Sequence, residues 1–145
     1  MTERVRHSRV LLDTGPLAAI VDPSEAEHQR CVETLAQIEP PLLTCWPVIT
    51  EAAWLLRRDA DALRRLLRGA QTGFFTVLDL RDKELPDIEA LYARYTDLSP
   101  QLADLTLLYL AARDSLETVF TLDRRDFNVF RLKGKKRLRL LPDEV

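Results

Sequence analysis

Short apolar, β-rich runs alternate with stretches of helical period along this chain, and that alternation limits its fold more than any other feature. The runs fall at 9–13, 42–45, 74–78 and 118–122, and 138–141 reads as a further edge strand. Between them, Pro16 suits the first turn of a helix, and 24–38 places Cys31, Val32, Leu35 and Ile38 on one face. Ser24 reads as the N-cap of that second helix, and Pro40 and Pro41 as its stop. Pro47 opens a helix carrying Ile49, Ala52, Ala53, Leu55 and Leu56, which 59–70 continues in register. Residues 82–95 show one apolar and one charged face, whereas the helix capped by Ser99 and Pro100 is apolar nearly all round and is expected to be buried. Strands alternating with helices predict an α/β fold on a mainly parallel sheet of four or five strands, with sites outside the strands' carboxyl ends.

The chain has 145 residues, enough for one core, so residues 1–145 are read as a single domain. No apolar run approaches the roughly 18 residues of a spanning helix. The first thirteen residues lack the apolar stretch of a secretory signal, so the protein is expected to stay in the cytoplasm. Cys31 and Cys45 are too far apart for a short metal-binding pair and read as reduced, buried small hydrophobes. His28 lies on the Cys31 side of its helix and reads as packed or half-exposed. His7 falls in an arm expected to be flexible.

Four acids stand where core is expected. Asp13 follows ValLeuLeu, Asp123 follows ValPheThrLeu, Asp104 opens the most apolar helix, and Glu51 sits near the start of the helix that follows Pro47. Helix N-termini favour ionised carboxylates by about 0.3–1 kcal/mol each, too little to offset several crowded negative charges. A divalent cation is the simplest way to keep such a group ionised, and oxygen-only ligands favour Mg²⁺ or Mn²⁺. An ion held this way can activate water for hydrolysis of a phosphodiester. A phospho-aspartate phosphatase fits less well, because it usually wants a second acid two residues after the first, and that place holds Gly15.

The segments LeuLeuAspThrGlyProLeu (11–17), IleThrGluAla (49–52), LeuAlaAspLeu (102–105) and ThrLeuAspArgArgAspPhe (121–127) together resemble the PIN-domain family, with toxins of the VapC type looking most similar. The resemblance implies a three-layer α/β/α sandwich and a Mg²⁺- or Mn²⁺-dependent endoribonuclease, commonly a homodimer and silenced by a cognate antitoxin. It further implies that Asp13, Glu51, Asp104 and Asp123 hold metal, that Asp126 is an additional acid, and that Thr14 or Thr121 positions ligands or water. Leu105 stands where related sequences often carry Ala. A non-catalytic RNA-binding or scaffold domain of the same fold is the alternative.

The basic residues leave two readings open. Arg131, Lys133, Lys135, Lys136, Arg137 and Arg139 crowd one window, and Arg57, Arg58, Arg64, Arg65 and Arg68 another; each is either an RNA contact or a solvated face. Arg113, nine residues after Asp104, reads either as a phosphate-holding group on Asp104's helix face or as a member of a surface ion pair. Trp46 and Trp54 flank Glu51 and are expected to serve packing or an oligomer interface, with base stacking as the other use.

Overall fold

A computed structural model describes residues 6–143. Its sheet has five strands, β1 (Leu11–Leu12), β2 (Leu42–Thr44), β3 (Phe75–Val77), β4 (Thr118–Phe120) and β5 (Arg139–Leu141), in the order β3-β2-β1-β4-β5. Every pairing is parallel. The helices are α1 (Thr14–Val21), α2 (His28–Leu35), α3 (Trp46–Leu55), α4 (Ala60–Gln71), α5 (Leu85–Arg94), α6 (Leu102–Arg113) and α7 (Arg124–Val129). Parallel crossovers are right-handed, so the steps from β1 through β2 to β3 lay α1–α4 on one face of the sheet. The return from β3 to β4 and β5 lays α5–α7 on the other, which makes the α/β/α sandwich. Contacts agree: α1 packs on α2 and α3, and α5 on α6.

A sheet covered on both faces needs strands without polar alternation. Val10, Leu11, Leu12, Val119 and Phe120 accordingly have no exposed surface, and each such side chain stabilises the fold by roughly 1.5–3 kcal/mol. Helix α6 is the apolar helix of the sequence, buried from Ala103 to Leu108. Leu105 is among these core residues and faces the Leu85 and Ile88 side of α6, so its bulk fills a contact with α5.

Several local expectations are corrected. Ser24 does not cap α2, which starts at His28; its amide and hydroxyl instead bond the Asp22 carboxylate in a tight turn. Segment 59–70 is a separate helix, because Asp59 accepts from the Asp61 and Ala62 amides and starts a new N-terminus. Ser99 is left-handed (φ 47°) and Pro100 precedes the helix, leaving Gln101 as the N-cap of α6. His7 is held by a parallel bridge to Ile38.

Candidate functional site: an acidic pocket at the turn of the strand order

The strand order reverses direction between β1 and β4, and the crevice outside their carboxyl ends is where open parallel sheets place sites. Asp13 leaves β1 there and is also the N-cap of α1. Its Oδ1 accepts from the Thr14 amide (2.8 Å) and its Oδ2 from the Thr121 hydroxyl (2.7 Å). Thr121 Oγ1 in turn accepts from the Asp123 amide at 3.0 Å. One buried hydroxyl thus ties the end of β1 to the loop after β4. Across the crevice, Thr14 Oγ1 donates to Glu51 Oε2 at 3.2 Å, which orients the acid of α3. Helix α6 supplies Asp104, and carboxylate oxygens of Asp104, Asp123 and Asp126 lie within 4.8 Å of one another.

Asp13 and Asp104 are only 4% and 6% exposed. Burial, partly countered by the Thr121 and Thr14 hydrogen bonds, pushes Asp13 up to about 6. Asp104 is pushed up to about 8, first by burial and then by the charges of Asp13, Asp123, Glu51 and Asp126. Asp126 is also raised, by burial and by Asp123. The Cys45 thiol is driven to about 12, chiefly by burial and also by Asp13, Asp104 and Glu51. Cys45 is therefore an inert wall of the pocket, as its reading as a small hydrophobe implies.

The fold thus gathers Asp13, Thr14, Glu51, Asp104, Thr121, Asp123 and Asp126 at one end of the sheet. It does not bring Arg113 there. Nine residues along α6 is half a turn out of phase and about 13 Å away, which corrects the reading of one shared helix face. Arg113 instead bonds Glu84 and Asp114 in an ion-pair group that also engages the Asp79 carbonyl and Tyr109. Arg131, Lys133, Lys135, Lys136 and Arg137 precede β5, hence lie toward the amino end of the parallel sheet, opposite the acids. Arg131 caps the Asn128 and Phe130 carbonyls and Lys136 pairs with Glu117. In the other basic group, Arg65 holds the Val21 carbonyl and Asp59, while Arg58, Arg64 and Arg68 face solvent. Of the readings for the tryptophans, packing within the chain is corrected, since Trp46 is 62% and Trp54 63% exposed. A signal was present in their eight-residue spacing, off the buried stripe of Val48, Ile49 and Ala52.

Thr121 tests the architecture. Thr121→Val removes both the donor to Asp13 and the acceptor for the Asp123 amide, at an expected cost of about 1–3 kcal/mol. Thermal unfolding should drop accordingly, and Thr121→Ser should recover most of it; equal stability of the Val variant would show that the bridge contributes nothing.

A doubly covered parallel sheet in this order, with carboxylates converging at its switch point, is the fold that the resemblance to PIN domains implies. No family model matches the chain. It is 27% identical over 135 residues to Ribonuclease VapC26 of Mycobacterium tuberculosis, covering 92% of this chain and 100% of that one. The fold is shared with the crystal structure of Mycobacterium tuberculosis VapC20, described as a Sarcin-Ricin loop cleaving toxin, at a TM-score of 0.73 and 16% identity over 80% of this chain and 91% of that chain. The chain thus has the fold of VapC-type PIN domains and is similar over nearly its whole length to a VapC ribonuclease.

Proposed function

We propose that residues 1–145 act as one PIN-like unit, a metal-dependent endoribonuclease that hydrolyses RNA phosphodiester bonds as the toxin of a type II toxin–antitoxin pair. The observation that carries this reading is the convergence of five acids, two of them almost wholly buried with their carboxyls driven up toward neutrality. A stability role alone does not account for such a group, since each like charge opposes the others.

The donors fit a hard dication: all are carboxylate oxygens, and three already converge within 4.8 Å. Asp13, Glu51, Asp104 and Asp123 are the proposed ligands, with Asp126 supporting them, and Mg²⁺ or Mn²⁺ suits the donor set. When bound, such an ion supplies an activated water and stabilises charge on the phosphate. The chain's own residues set the geometry. Thr121 fixes the Asp13 carboxylate and the Asp123 backbone together, and Thr14 holds Glu51, so the carboxylates need little reorganisation on substrate binding. Burial and the neighbouring charges raise Asp104 to about 8, which favours its protonated form at neutral pH, and a dication held there would favour the carboxylate instead.

The proposed partners are RNA, a cognate antitoxin and a second copy of the chain, acting in the cytoplasm; among the described residues no helix is long and apolar enough to cross a membrane. Charge complementarity favours silencing by a cationic side chain of the antitoxin inserted among the acids. The purified chain, freed of any antitoxin, should cut single-stranded or loop RNA with Mg²⁺ or Mn²⁺, stop with excess EDTA and resume when the ion is restored. RNA left intact under all these conditions would overturn the reading.

A further inference from the structure

Between Asp123 and Asp126 the chain places two cations, Arg124 and Arg125, and the fold treats them differently. Arg124 donates to the Pro142 carbonyl at 2.7 Å, which ties the start of α7 to the chain leaving β5. Arg125 is exposed and has no hydrogen bond or ion pair with another described residue. Residues one and two apart on a helix do not face each other, so Arg125 is kept from pairing with either Asp126 or Asp123. The positions it does face, Asn128 and Val129, carry no charge. Its own charge still acts on Asp126. The backbone beneath it is firmly held: Phe127 and Phe130 are buried and stack edge-on at 5.3 Å, and Phe130 meets Tyr95 at 4.9 Å. At about 100° per residue those rings lie on the opposite side of α7, which leaves Arg125 on the solvent side, beside Asp126 at the rim of the acidic pocket.

We infer that Arg125 holds an RNA phosphate next to the one being cut and so seats the strand over the acids. This rests on the nuclease reading. Asp104 meets the charges of Asp13, Asp123, Glu51 and Asp126, and a single dication leaves that group net negative. A polyanion therefore needs a cation at the rim in order to settle there. A cation paired with Asp123 or Asp126 would be neutralised already and would compete with metal for the same oxygens. Arg125 stands beside these acids without bonding to them, and its guanidinium offers a fork of donors that matches phosphate oxygens. Arg113 is engaged in its ion-pair group and the residues before β5 lie toward the other end of the sheet, so neither supplies this contact. A phosphate contact fixes where the strand lies and carries no base preference.

Cleavage assays with Mg²⁺ or Mn²⁺ over a range of salt concentrations test this. Arg125→Ala should raise KM about 10-fold whatever the RNA sequence, with a smaller effect on kcat. It should also lower the slope of log KM against log salt by about 0.7, the value for one phosphate of a single strand. Arg125→Lys should keep the slope and most of the affinity. Oligonucleotides carrying one neutral methylphosphonate at successive positions locate the contact. At one position near the cut, that change should weaken binding by the wild type and leave Arg125→Ala unaffected, a coupling that loss of structure does not produce. Equal KM and salt slope in the wild type and Arg125→Ala, or the same methylphosphonate penalty in both at every position, would overturn the inference and leave the nuclease reading standing. A change confined to the metal concentration that supports cleavage would make Arg125 a modulator of the acids and overturn it too. Absence of cleavage by the wild type with every ion would instead remove the nuclease reading, and this inference with it.

Discussion

Asp104→Asn is expected to abolish RNA cleavage, lowering the rate by about 10³-fold or more, roughly 4 kcal/mol of transition-state stabilisation. The substitution keeps the shape of the side chain and removes one negative charge from the most crowded place in the pocket. Asp104 is 6% exposed and is opposed by Asp13, Asp123, Glu51 and Asp126. The metal-free variant should therefore melt at a higher temperature than the wild type at pH 8, because a neutral amide takes the place of a buried anion. Lost cleavage with raised thermal stability distinguishes a functional acid from a structural one. A variant that cleaves RNA at the wild-type rate would remove Asp104 from the catalytic group.

The second large effect is a reversal of the pH dependence of stability by metal. Asp13 and Asp104 titrate at about 6 and about 8 in the folded chain, against 3.8 for an ordinary aspartate. Between those values the folded state holds more protons than the unfolded state, so stability falls as pH rises through that window. The metal-free protein should lose on the order of 5 kcal/mol between pH 5 and pH 8. Added Mg²⁺ or Mn²⁺ should restore stability most at pH 8, where the ligands are deprotonated, and least at pH 5. Thermal melts with EDTA and with each ion, at both pH values, measure this directly. A metal-free protein that grows steadily more stable toward pH 8 would show that the acids are not held as described.

The sequence exposed the sheet because its strands are buried on both faces and therefore read as unbroken apolar runs. It exposed Asp13, Asp104 and Asp123 for the same reason, since a carboxylate next to such a run is conspicuous. The links between them were not legible. No local pattern announces that the Thr121 hydroxyl reaches Asp13, 108 residues away, because that contact depends on β1 and β4 lying side by side. Helix beginnings were misjudged at Ser24 and Ser99, where a turn-forming side chain and a left-handed backbone compete with capping. For Arg113 the ion-pair alternative holds and the shared face with Asp104 does not, and the residues before β5 lie away from the acids, for a different reason. Nearness to a site depends on which end of an element a residue occupies, and charge along the sequence carries no record of that. The tryptophans failed through an assumption that large aromatic rings in helices are packed, although their spacing set them off the buried stripe.

The separation of the acids from the residues before β5 also has an electrostatic meaning for the whole molecule. Negative charge gathers at the carboxyl end of the sheet and Lys133, Lys135 and Arg137 lie exposed toward the other, so the protein carries an electric dipole along its strands despite a net charge of only −2. An approaching polyanion is turned toward the basic end and must reorient before it reaches the acids, whereas a cationic segment is drawn to them head-on. The molecule's own field thus favours capture by a basic inhibitor over encounter with RNA, a bias that added salt weakens.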